Sequence, residues 1–167
     1  VPIYDDKLLF AKLILDGAQA GLSWITILRK RENYWEAFDQ FDPEAIAQYD
    51  EVKVAELMQN AGIVRNRLKI QAAIKNARGY LQIMEEFGSF SDYLWEFVDG
   101  KPVQNSWATM ADVPAQTAVS LTMSKALKKR GFNFVGPTIC YAFMQAVGMI
   151  NDHTIDCHRH AECKAMA

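Results

Sequence analysis

Apolar residues recur at helical spacing along almost the whole chain, and capping or breaking residues interrupt that spacing at short intervals. The first face runs over residues 6 to 20: Leu9, Leu13 and Ala20, with Phe10, Ile14 and Gly17 beside them. Asp5 or Asp6 is placed to cap it. Gly21 can take φ > 0 and stop it. Ser23 is placed to accept a hydrogen bond from the first turn of a second helix, which carries Ile25, Leu28, Trp35 and Phe38. Asp42-Pro43 is an N-cap followed by proline at the first helical position, starting a short helix to about Tyr49. Asp50 caps another, ending near Gly62. A long helix is expected from about Val64 to Phe87, carrying Ile70, Ala73, Ile74, Ala77, Leu81 and Met84. Ser91 is expected to cap a helix over 92–98, closed by Asp99-Gly100. Residues 101–114, with Pro102 and Pro114, read as loop. Further helices are expected from about Thr117 to Arg130 and from Pro137 to Val147. No segment reads as a convincing strand, and no solenoid period or low-complexity tract is present. The class is all-α, with many short helices packed on one another. The connections come too often for a long up-down bundle.

The chain has 167 residues, half of them apolar, which suits one domain or two closely packed lobes. Its net charge is −2 and its pI about 5.9, so it is not coated in basic residues. Any nucleic-acid contact must use a local patch. No apolar run approaches the length of a membrane-spanning helix, and the first residues lack the pattern of a secretory leader. Three cysteines, Cys140, Cys157 and Cys163, fit a reducing compartment better than a disulfide scaffold.

Three stretches carry chemistry. In the first, residues 15–33, Gly21-Leu22 should form a tight corner between two helices. Asp16 lies more than one turn before it, and Trp24 lies just past it. If those helices pack antiparallel, a carboxylate and an indole face one cavity. That pair suits a flat polar or cationic ring, which the indole stacks and the carboxylate holds by an edge. The same residues also suit a core tryptophan and a solvated acidic cap. In the second, residues 128–138, Lys128, Lys129 and Arg130 precede a connection bounded by Gly131 and Gly136. The free N–H groups of the next helix's first turn can face an anion such as a DNA phosphate. An ordinary helix corner with a basic last turn has the same pattern. Two further basic sets, Arg29 to Arg31 and Arg65 to Arg78, could line the same face or be solvated. In the third, residues 153–163, all three histidines and two of the three cysteines cluster. His153 and Cys157 are spaced so that an imidazole and a thiolate can share one zinc. His158, His160, Cys163 or an N-terminal segment could supply the remaining ligands.

Four collinear pieces together resemble one family: QAGLSWITILRKREN (19–33), FDPEAIAQ (41–48), NAGIVRNRLKIQAAIKNA (60–77) and SKALKKRGFNFVGPTICYAFMQAVGMINDH (124–153). They are similar to the 3-methyladenine DNA glycosylase I family. The resemblance implies a two-lobed helix-hairpin-helix DNA glycosylase fold in a single domain over 1–167. It also implies a structural zinc tying the termini, with ligands falling on His153 and Cys157. The family's other two ligands, and some pocket aromatics, belong to a segment that would precede Val1. Val1-Pro2 matches an internal point of the family pattern, so such a segment is expected. The family's pocket carboxylate is typically Glu, and Asp16 stands there in this chain. The charge is kept with a shorter reach, so base contacts would need a shifted helix or a bridging water.

The implied activity is monofunctional hydrolysis of the N-glycosidic bond of 3-methyladenine in alkylated double-stranded DNA, by a monomeric, cytoplasmic, bacterial-type repair enzyme. Asp16 would be the catalytic carboxylate and would share base binding with Trp24. Gly21 and Leu22 would fill the gap left by the flipped nucleotide. Lys129, Arg130, Gly131, Phe134, Gly136 and Thr138 would hold the DNA backbone. No lysine is assigned to a Schiff base. Asp152, shortly after the last helix, reads as structural rather than catalytic. The alternatives are a non-catalytic helix-hairpin-helix DNA-binding module and a zinc-stabilised interaction domain.

Overall fold

The structure, a computed structural model, describes residues 2–105, 107–152, 162 and 165. It is mainly helical, as the periodicity predicts. The α-helices in chain order are α1 (Asp6–Gln19), α2 (Trp24–Ala37), α3 (Pro43–Ala47), α4 (Glu51–Met58), α5 (Arg67–Phe87), α6 (Phe90–Trp95), α7 (Ala118–Lys129) and α8 (Pro137–Ala146). Three starts are set by the expected caps, Asp5, Asp42 and Asp50, and Thr117 caps a fourth. The side chains of Asp5, Asp42, Asp50 and Thr117 each accept a hydrogen bond from a first-turn N–H of α1, α3, α4 and α7.

Several local expectations are corrected. Ser23 occupies the N-cap position of α2 but makes no side-chain cap bond, because its Oγ pairs with Thr26 Oγ1 at 2.7 Å. α4 stops at Met58 rather than near Gly62. Asn60 turns its Oδ1 onto the Gly62 N–H at 2.8 Å, a local turn that competes with helix. α5 starts at Arg67, where Asn66 caps the Lys69 N–H. Ser89, not Ser91, caps α6. The Ser91 N–H instead donates to Asp6 at 2.7 Å, fastening α6 to the start of α1. The stretch 101–114 is not all loop. Val103–Gln104 (β1) pairs in parallel with Ile150–Asn151 (β2), a two-residue ladder too short to leave an alternating pattern.

The buried apolar side chains form one contiguous cluster that runs through every α-helix. Two details of it position the candidate site. α5 lies under the 130–136 connection, where the ring of Phe132 packs onto Gly79; a Cβ there would stand 2.3 Å from Phe132 Cε1. Gly17 of α1 similarly lets the Phe134 backbone approach, since a Cβ would meet its carbonyl oxygen at 3.2 Å. The two stretches singled out in the sequence therefore meet across Gly17 and Phe134, more than a hundred residues apart.

Candidate functional site

The α1–α2 corner is built as its residues demand. Gly21 has φ +77°, with open space where a Cβ would be, so its requirement is conformational rather than steric. Leu22 and Trp24 stand out from the corner, 39% and 44% exposed. Lys69, from α5, donates to the carbonyl oxygens of Ala18 at 2.8 Å and Ala20 at 2.5 Å. It satisfies free carbonyls at the end of α1 and complements the helix dipole there. Burial lowers its pKa.

Asp16 is 5% exposed, so it is no solvated cap. Lys12, one turn earlier, brings its Nζ to 3.2 Å from Asp16 Oδ1 and to 4.1 Å from the centroid of the Trp24 ring. Carboxylate and indole do belong to one constellation, but an ammonium lies between them. Sequence reasoning missed Lys12, although its i,i+4 spacing from Asp16 was a usable signal. Burial pushes the Asp16 carboxyl above its ordinary value, against the pull of the Lys12 charge and hydrogen bond. Asp16 Oδ2 is buried without a hydrogen-bond partner among the described residues. The corner thus offers an unsatisfied acceptor beside an exposed aromatic face.

A separate cleft beneath the corner is lined by Gly17, Ala18, Tyr34, Lys69, Asn76 and Phe134, with a volume of about 20 Å³. That is room for roughly one water, not a purine. The Trp24 indole, by contrast, is open to solvent.

The 130–136 connection follows the expected pattern at Gly131, with φ +90°, and adds Phe134, a non-glycine residue at φ +54°. α8 begins at Pro137, with Gly136 at the N-cap and no side-chain cap. The N–H groups of Thr138 and Ile139 therefore have no intrahelical acceptor, and Thr138 is exposed. Lys129 is exposed as well. Arg130 is committed within the protein. It pairs with Glu86 at 2.8 Å, donates to the Tyr93 hydroxyl at 3.2 Å and lies over the Phe87 and Tyr93 rings. Other basic residues are similarly engaged: Lys30 donates to the Ala61 carbonyl, Arg78 to that of Ala47, and Arg67 pairs with Glu51.

His153 and Cys157 lie outside the described residues. Among the described residues, no group of three His, Cys, Asp or Glu could hold a metal ion. Their neighbour Asp152 is not a spare ligand. It accepts from Asn105 and Trp107 at 2.6 Å each, from Gln145 at 2.9 Å and from the Tyr141 hydroxyl. Burial alone would raise its pKa, but these four donors outweigh that and hold it below the usual carboxylate range. With β1–β2, this hub fastens Asn105 and Trp107 to α8.

The chain is similar to known proteins along most of its length. Residues 1–160 match the family model described as methyladenine glycosylase. The DNA-3-methyladenine glycosylase of Haemophilus influenzae is 52% identical over 157 residues, covering 93% of this chain and 84% of the relative. The DNA-3-methyladenine glycosylase 1 of Escherichia coli is 53% identical over 157 residues, covering 94% and 84%. A crystal structure of a 3-methyladenine DNA glycosylase I variant in complex with 3-methyladenine superposes with a TM-score of 0.92 at 41% identity, covering 95% of this chain and 85% of that one. The chain belongs to the methyladenine glycosylase family. Among the described residues, no helix is long and apolar enough to cross a membrane.

Proposed function

We propose that this chain is a monofunctional DNA glycosylase that hydrolyses the N-glycosidic bond of 3-methyladenine in alkylated double-stranded DNA, in base excision repair. Beyond family membership, the observation that carries this reading is the buried Asp16 carboxylate, with one oxygen unpartnered, beside the exposed Trp24 indole. An adenine methylated at N3 in DNA is cationic and already a good leaving group. The site must extrude it, hold it and admit water. Leu22, on the Gly21 turn, enters the space the nucleotide leaves. Trp24 stacks on the base, and Asp16 accepts from its amino edge while its charge favours the cationic form. The bond between sugar and base breaks with its electron pair going to the base, which departs neutral. Water bonds to the sugar carbon and releases a proton. Lys12 and Lys69 are both engaged by acceptors, in keeping with hydrolysis rather than a Schiff base.

The helix-hairpin-helix reading assigns Lys129, Gly131, Phe134, Gly136 and Thr138 to the DNA backbone, with the open first turn of α8 facing a phosphate. Arg130 acts there mainly by shaping the turn. His153 and Cys157 are proposed as ligands of a structural zinc, a donor pair that suits that metal. The test is release of 3-methyladenine from methylated duplex, followed by chromatography, with Asp16→Asn and Trp24→Ala alongside. Release that falls sharply in both variants supports the assignment. DNA binding without release by the zinc-loaded protein would overturn the activity and leave a binding module.

A further inference from the structure

A site that recognises a flat cation needs positive charge against its carboxylate and over its aromatic ring. Lys12 already meets both demands. Its ammonium is 3.2 Å from Asp16 Oδ1 and 4.1 Å from the Trp24 ring centroid. Resting on the function proposed above, we infer that Lys12 is a built-in occupant of the base site: it stands where the cationic base belongs and must be displaced before any base enters, so it competes with the ligand and leaves the site closed to a base that cannot replace the lost pairing.

Three observations carry this. The pair is shielded, with Asp16 5% and Lys12 21% exposed, so it holds more firmly than a pair in open solvent. Lys12 satisfies only one oxygen of Asp16, and the buried Oδ2 is left over. A cationic purine that also carries an amino group supplies both a charge and a donor, so it satisfies the carboxylate more fully than the ammonium does. A neutral purine brings stacking but no charge. To enter, it must move the ammonium off and leave a buried carboxylate without its cation. Displacement needs no backbone movement, because the lysine stem is flexible and partly exposed and its head group can swing into water.

The test compares two probes as inhibitors of excision from methylated duplex: the 3,9-dimethyladeninium cation and neutral 9-methyladenine. They are measured for the wild type, Lys12→Arg, Lys12→Met and Lys12→Gln. The wild type and Lys12→Arg should prefer the cation strongly. In Lys12→Met and Lys12→Gln both probes should bind about five- to tenfold more tightly, the scale of one partly shielded ion pair that no longer has to be broken, with the preference for the cation little changed. Affinity for both probes unchanged in both neutral variants, while the wild type excises normally, overturns this inference and leaves the glycosylase reading intact. Weaker binding of both probes in the neutral variants also overturns it, since Lys12 would then assist binding rather than compete. No excision by the wild type removes the glycosylase reading and this inference with it. Thermal unfolding of each variant guards against misfolding, and two neutral variants of different shape keep the outcome decisive.

Discussion

Asn76 grips the backbone of Asn133 at both ends: its Oδ1 accepts from the Asn133 N–H at 2.8 Å and its Nδ2 donates to the Asn133 carbonyl at 3.1 Å. Asn76 is 3% exposed and sits mid-way along α5, so it pins the 130–136 connection to the core. Asn76→Ala should lose both bonds and leave the partly shielded Asn133 N–H and carbonyl without them, lowering stability by about 1–3 kcal/mol. Urea unfolding measures this. DNA affinity should fall as well, because the connection loses its mount. Unchanged affinity would detach this clamp from DNA binding.

Gly79 and Gly21 are both glycines for opposite reasons, and alanine separates them. At Gly79 the new methyl would collide with Phe132, an overpacking cost of about 1–3 kcal/mol. At Gly21 there is open space but a positive φ, a cost of about 1–2 kcal/mol. Adding Phe132→Leu should recover part of the loss in Gly79→Ala and none in Gly21→Ala. A double-mutant cycle on unfolding free energies reads the difference.

Lys69 should act on the corner rather than on the base. Lys69→Met keeps much of the stem but strips the donors from the Ala18 and Ala20 carbonyls. Stability should drop by about 1–2 kcal/mol. Excision should slow as the Gly21 turn loosens, while inhibition by free base changes little, because the Lys69 ammonium is held at the Ala18 and Ala20 carbonyls rather than at the base-facing side chains. Equal loss of base binding would place Lys69 in the recognition itself.

Asp16 makes stability depend on pH with a definite sign. Its folded pKa is raised, by burial first, so the folded state binds the extra proton between the ordinary carboxylate value and its own. The Asp16 contribution is therefore fully present below the ordinary value and is lost as pH rises through the folded one. Asp16→Asn should flatten that decline. Unfolding curves across acidic to neutral pH, for wild type and variant, test it; an identical slope in both would refute it.

Lys129 and Arg130 are neighbours with different commitments. Lys129→Ala should weaken binding to any duplex and reduce the salt slope by about one counterion. Arg130→Ala should chiefly lower the unfolding midpoint, since the Arg130 guanidinium is occupied by Glu86, Tyr93 and Phe87. DNA titrations at several salt concentrations, with thermal melts alongside, separate the two.

What could be read from the chain alone was what short-range physics controls. Caps at Asp5, Asp42 and Asp50, the stop at Gly21 and the starts near Thr117 and at Pro137 each depend on groups within about one turn. The same locality explains the near misses. Ser23 had two partners within reach and chose Thr26, and Ser89 and Ser91 compete for one helix start. The family resemblance joins Asp16, Trp24 and the 128–138 connection in one functional reading. Tertiary structure alone decided how those groups are used. Lys12 reaches Trp24 only because the corner folds α2 back beside α1. Lys69 reaches the Ala18 carbonyl across 51 positions, and Arg130 reaches Glu86 across 44. Neighbouring residues can state a backbone preference, but which distant partner takes a charged side chain depends on helix packing, and no single stretch contains that information.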